Sequence, residues 1–247
     1  MKDQYIGDIG DYGKYGLLRF LSGHGTSIGV NWYLTSADGR TDGNHTEYLR
    51  DERMRAYDDK LYDAMAKIAS RKDKHIQMIE QSGILNGLRF YNELMNFDLL
   101  SWRDRSAARA AWHHGALVQL KDAELVFADP DNGLSSTKKQ STKDAQKFIL
   151  PNEIADYYNR GQQVVYYHHR PRKNAEGWAR DKAQILTRLP DARLLAVSFN
   201  RWSCRTYIFV LHESVYASYR NTLDRFLETA WGTVKVDGKP AFIREPI

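Results

Sequence analysis

The sequence predicts an α/β fold: a three-layer sandwich around a mostly parallel central sheet, Rossmann-like, with a small C-terminal hairpin. Three observations predict it. Short apolar runs alternate with segments of helical spacing, the pattern of βαβ units whose sheet is covered on both faces. Several runs end directly on acids, imidazoles or guanidiniums, as strands of open α/β sheets do at their ligand-binding edge. An Asp-Gly pair at 237–238 separates two short extended runs, 234–236 and 240–243, as a hairpin turn does.

The elements follow in order. Asp11 is placed to cap a helix over 12–23 that carries Leu17, Leu18, Phe20 and Leu21. Residues 28–35 read as a buried strand with Val30, Trp32 and Leu34 on one face. Two Asp-Gly pairs, 38–39 and 42–43, mark 36–45 as loop. Leu61, Met65 and Ile68 give 58–70 helical spacing, and 89–94 is a short strand. An alanine-rich helix over 106–120 precedes a strand over 123–128 that ends at Asp129. A polar loop with Ser135, Ser136, Lys138, Lys139 and Ser141 leads to Pro151, a favoured first residue of a helix. Then come a strand over 163–168, a helix over 175–189, strands over 193–199 and 206–212, and a helix over 214–230. The gap at 200–205 is too short for a crossover, so one of the strands beside it is expected to run antiparallel. With no repeat, linker or low-complexity tract, residues 1–247 read as one α/β domain.

Composition narrows the function. No stretch of about 18 apolar residues is present, and Met1-Lys2-Asp3-Gln4-Tyr5 is no secretory signal. A single cysteine, Cys204, rules out an internal disulfide and a cysteine-rich metal centre. These features predict a cytoplasmic protein with no membrane partner, as monomer or homodimer. The net charge of +5, with 15 tyrosines and six tryptophans often beside Lys or Arg, suits stacking on bases and contact with phosphates. DNA is the expected partner, and core packing the alternative use of those rings.

In open α/β sheets a ligand sits beyond the carboxyl ends of the strands, at a switch in strand order. That rule selects Thr35 and Asp38, then Asp129-Pro130-Asp131-Asn132-Gly133, then His168-His169-Arg170-Pro171-Arg172, and Asn200-Arg201. Asp129, Asp131 and His168 are the predicted catalytic residues. Asp11, Tyr12, Lys14, Tyr15, Trp32, Asp38, Asn132, His169, Arg170 and Arg172 are predicted to bind substrate. The stretch from Gly7 to Tyr15 offers glycines, a helix start and Lys14, which suit a backbone phosphate with Tyr12 or Tyr15 stacked on a base. A capped helix packed on the sheet is the other use of the same residues.

Gly7-Asp8 through Arg19, the Asp38-Gly39 and Asp42-Gly43 loop, and Phe127 to Leu134 (FADPDNGL) resemble a largely uncharacterised bacterial family, over most of the chain. A looser likeness joins Asp129-Pro130, and His168 or His169 before Pro171, to the uracil-DNA glycosylase superfamily and its phage-defence type. There an acid or amide after a strand positions water, and a later histidine contacts the base. This chain has Ala128 where Gly-Gln stands before Asp-Pro in that superfamily, and it lacks a His-Pro-Ser run.

That likeness implies a DNA-glycosylase-like form of the sandwich and hydrolysis of an N-glycosidic bond, which needs a carboxylate near an oxocarbenium-like transition state, a donor for the departing base and no cofactor. A modified base, flipped from the stack, is the expected target in defence or repair. Three alternatives use the same elements. A Rossmann-like methyltransferase would use Asp129-Pro130 as an amino-methylating motif, although Ser36-Ala37-Asp38-Gly39 is poor for S-adenosylmethionine. A metal nuclease would need Asp38, Asp129 and Asp131, although no metal site is expected. A non-enzymatic nucleic-acid-binding module would need neither.

Overall fold

The computed structural model describes residues 1–36, 45–135, 142–169 and 175–247. Its strands are β1 (Ile28–Asn31), β2 (Arg89–Tyr91), β3 (Leu125–Ala128), β4 (Gln163–His169), β5 (Arg193–Arg201), β6 (Ser203–Leu211), and three short ones, β7 (Lys235–Val236), β8 (Lys239–Pro240) and β9 (Phe242–Arg244). Seven form one sheet in the order β2-β1-β3-β4-β6-β5-β9. The first four are mutually parallel, while β6 is antiparallel to β4 and β5, and β9 to β5. The short gap before β6 thus reverses the chain as its length required. The terminal hairpin of β7 and β8 turns on Asp237 and Gly238, both at positive φ. The chain then returns as β9 to the main sheet, an extension the sequence did not predict.

Side chains alternate across the sheet with period two. On β3, β4 and β6, odd-numbered residues such as Phe127, Val165, Tyr167, Tyr207 and Phe209 share one core. That core holds α1 (Ile9–Gly23), α2 (Asp59–Ala69) and α7 (Glu213–Glu228). Even-numbered Val126, Val164, Tyr166, Ile208 and Val210 face the other core, with α4 (Asp104–Gln119), α5 (Pro151–Asn159) and α6 (Ala175–Arg188). Two short helices, α3 (Gln77–Gln81) and α8 (Ala230–Thr233), complete the set in the described residues. Among these residues no helix is long and apolar enough to cross a membrane.

Two local expectations change. The cap of α1 is Asp8, whose Oδ1 accepts from the Asp11 amide at 2.9 Å, so the helix starts three residues earlier than predicted. And β1 stops at Asn31 because Tyr33 takes a φ of 47°, which no strand continues; Thr35 rejoins only as an isolated bridge to Met95. Val30, Trp32 and Leu34 nevertheless share one core.

Glycines at 10, 13 and 16 recur every three residues along the face of α1 that meets the sheet. A Cβ would come within 2.4 Å of the Arg205 side chain at Gly10, 2.7 Å of the Phe199 ring at Gly13, and 2.2 Å of the Trp231 ring at Gly16. Gly10 and Gly13 let α1 lie close on the sheet and Gly16 lets it meet the Trp231 ring of α8, so the glycines serve packing. Gly13→Ala is therefore expected to lower stability by about 1–3 kcal/mol, despite the better helix propensity of alanine. A higher denaturation midpoint for that variant would show that the ring gives way freely.

Candidate functional site

The parallel set runs in the order β2-β1-β3-β4, so the switch in strand direction of travel lies between β1 and β3, where this topology places a ligand. Asp129 stands there, with its amide donating to the Asn31 carbonyl at 2.9 Å. A cavity of about 430 Å³ opens beside it, on the α1 side of the sheet, within the usual range of ligand pockets. Asp8, Asp11, Lys14, Asp129, Asp131 and Asn132 line it from one direction, and Tyr167, His169, Arg205 and Tyr207 from another.

Parity explains that lining. Tyr167 of β4 is opposite Tyr207, and His169 is opposite Arg205, all odd-numbered and all on the face that packs against α1. His168, one residue earlier than His169, points into the other core. It is fully buried, its Nδ1 accepts from the Leu134 amide at 3.3 Å, and its Nε2 lies 3.2 Å from the Asp181 carboxylate of α6. The predicted catalytic His168 is therefore a structural residue, and His169 is the histidine at the cavity. Gly133 fits the same packing: it has a φ of 89°, and a Cβ there would stand 2.5 Å from the His168 ring.

Charges in the cavity are paired. Lys14 Nζ lies 2.8 Å from Asp11 Oδ1 and 2.6 Å from Asp129 Oδ2, with all three side chains buried. Two carboxylates thus share one ammonium. Burial raises the Asp129 carboxyl above the ordinary range, and Lys14 and the Met1 amine pull it back. Asp131 Oδ1 meets the Met1 amine at 2.8 Å, and that amine also donates to the Tyr33 and Asp129 carbonyls. Across the cavity, Arg205 Nη2 lies 3.7 Å from Asp8 Oδ2. Burial first, then the charge of Asp11, pushes the Asp8 carboxyl up to about 7. Burial, then Arg205, lowers His169 below the ordinary imidazole range, and its Nδ1 lies 2.9 Å from the Tyr167 hydroxyl.

Asp8 titrates higher in the folded chain than in the unfolded one, so its favourable contribution is present at low pH and lost as pH rises toward 7. Asp8→Asn keeps a good cap and removes that titration. The melting temperature of the variant relative to the parent is expected to increase from pH 5 to pH 8. An offset that stays constant over that range would place the Asp8 carboxyl in its ordinary range.

Several predicted binding residues are elsewhere. Tyr12 is in the core, donates to the Met54 carbonyl at 2.8 Å and stacks on Tyr48. Tyr15 and Trp32 are fully buried, and each ring has Lys14 Nζ within 5.6 Å of its centroid. Trp32 also donates to Glu80 at 2.9 Å. None of these three rings can stack on a base. Lys14, expected to meet a backbone phosphate, is the buried centre of an ion cluster. Asp38, Arg170, Arg172, Lys138 and Lys139 lie outside the described residues. Among the described residues no three His, Cys, Asp or Glu side chains are grouped as a metal site.

The loop that carries Asp131 and Asn132 is held from behind. Its arms pair through Asn132 N to Lys147 O, Ile149 N to Gly133 O and Ser135 N to Ile149 O. Buried Arg109 of α4 then donates to the Ala145 and Phe148 carbonyls and forms a two-point pair with Glu153 at 2.7 and 2.9 Å. Such forked pairing fixes direction as well as distance.

No family model and no curated protein matches this chain. Among solved structures, one similar chain is the crystal structure of protein LPL1258 from Legionella pneumophila str. Philadelphia 1, family-model DUF519. It is 10% identical over 97% of this chain and 96% of its own, with a TM-score of 0.40. A likeness of that degree identifies no activity.

Asp8, Tyr167, Trp202, Arg205 and Tyr207 line the cavity and were not singled out by sequence. The signal for Arg205 and the tyrosines was available as parity: once Asp129 is placed on one face, the odd residues of the neighbouring strands share it.

Proposed function

We propose that the protein hydrolyses an N-glycosidic bond in DNA, releasing a modified base held in this cavity. One observation supports it above the others: acids shared by one ammonium and a guanidinium beside a carboxyl of pKa about 7 line the same nucleotide-sized space. In this reaction the C1′–N bond breaks and a water oxygen bonds to C1′. Asp129, held by Lys14 at the end of β3, is the carboxylate that faces the developing sugar cation. Asp129 orients the water and takes its proton, with Asp131 the reserve. Arg205 donates to the departing base, and the protonated fraction of Asp8 can supply its proton.

The test uses purified protein, EDTA, and DNA with and without modified bases. Free base and alkali-labile abasic sites are the expected products. A strict requirement for Mg²⁺ with direct backbone cuts would replace this proposal by a nuclease.

Strand order favours a second proposal. A reversed β6 between β4 and β5, with Asp129-Pro130 ending the strand beside β1, suits a Rossmann-like methyltransferase acting on an exocyclic amine. The described part of the turn after β1, Trp32 to Ser36, holds no glycine. Met1 crosses it, accepting from the Thr35 amide and donating to the Tyr33 carbonyl. These residues do not form a cradle for S-adenosylmethionine, and no step is assigned to it. Methylated DNA appearing only with added S-adenosylmethionine would favour this second proposal.

A further inference from the structure

Trp202 is the one residue between β5 and β6, where Arg201 already pairs with Ser203. Its φ is 63°, a left-handed conformation that a bulky side chain rarely takes and that glycine or asparagine would occupy at lower cost. The indole contributes little to the core: it is 74% exposed. It stands at the cavity, where it lines the wall with His45, Ser203 and Arg205, and its ring lies 4.2 Å from the His45 ring at a 31° tilt. The other described tryptophans include Trp32, Trp112 and Trp231, all buried, and exposed Trp102, which does not line this cavity. An exposed indole at a strained turn stabilises the fold neither by burial nor by backbone preference. Strain of this kind concentrates where a side chain must be presented to a ligand.

We propose that Trp202 is the stacking platform for an unstacked nucleobase of single-stranded or locally opened DNA, which it holds at the cavity mouth. This rests on the nucleic-acid part of the function proposed above and names the residue that selects an extruded base over a stacked one. Indole faces suit this role because every base presents a π-face and the partner need not be read by sequence. Arg205 lines the same cavity, where its guanidinium can donate to the base that the indole holds.

The test measures anisotropy of a fluorescein-labelled 12-nucleotide single-stranded DNA, and of its duplex, with the full chain and Trp202→Gly, Trp202→Phe and Trp102→Phe variants. The parent is expected to prefer the single strand. Trp202→Gly is expected to weaken that binding about tenfold to a hundredfold, while its melting temperature holds or rises because the turn is relieved. Trp202→Phe keeps a π-face and is expected to stay within about threefold of the parent, and Trp102→Phe to bind as the parent does. Unchanged binding by folded Trp202→Gly, or no single-strand preference in the parent, overturns the proposal. A fall in melting temperature together with unchanged binding would make Trp202 structural. The base-release assay separates the two proposals. Stacking lost with Trp202→Gly while the parent releases no base leaves the platform standing and removes the glycosylase. Base release that continues in Trp202→Gly at unchanged KM does the opposite.

Discussion

Asp129→Asn is expected to lower base release by about two to three orders of magnitude while the chain stays folded. The substitution keeps the shape of the carboxylate and its acceptor toward Lys14 at 2.6 Å, but removes the charge that faces the sugar cation. It also removes one of the two anions that share the ammonium, which leaves Asp11 alone with Lys14. Asp131→Asn should cost less, since that carboxylate pairs with the Met1 amine at 2.8 Å and is not one of the two acids that share Lys14. The comparison is made on single-turnover rates with saturating DNA, so that binding and chemistry are separated. Full activity in both variants would move the catalytic centre away from the end of β3.

Much of the fold was legible because the apolar runs carry their own period. The runs at 123–128, 163–168 and 193–199 each became a strand, and the short gap after 199 required a reversal. The edge of the sheet that holds Asp129 followed from the same reasoning. What could not be read was depth. Sequence marks Tyr12 and Tyr15 as aromatics beside charges and Trp32 as a ring near a strand end, a description that fits a base-binding surface and a buried core equally. In the folded chain Lys14 is the centre of an ion cluster walled by Tyr15 and Trp32, while Tyr12 packs on Tyr48 in the core. The glycines of α1 misled for a related reason. Close approach was inferred, but the objects approached are side chains of the sheet at Gly10 and Gly13 and the Trp231 ring at Gly16. His168 and His169 differ only by parity. Choosing between them needed the register of β4 against β3 and β6, in which His169 meets Arg205 and His168 meets Thr206. Asp8 was passed over because a helix cap a few residues upstream of the predicted start leaves no periodic trace.

Lys14→Met is expected to destabilise the protein by about 3–5 kcal/mol at neutral pH, because the change leaves two buried carboxylates without their shared cation. Methionine keeps most of the apolar stem, so the loss reports charge and not packing. The effect should depend on pH in a definite direction. Burial already raises Asp129 above its unfolded value, and Lys14 is one of the groups that lowers it. Without Lys14 the folded value rises further. A carboxyl raised in this way favours the folded state at low pH and loses that contribution as pH increases through its folded value. The deficit of the variant relative to the parent is therefore expected to be smaller at pH 5 than at pH 8. Urea denaturation at both values measures it, with the slopes compared to confirm two-state behaviour. Adding Asp129→Asn to Lys14→Met removes one orphaned charge. The double variant should recover part of the loss, because residues in direct contact are coupled and their effects do not add. A deficit that is equal at the two pH values and unrelieved by the second substitution would mean that the ammonium is not what compensates these acids.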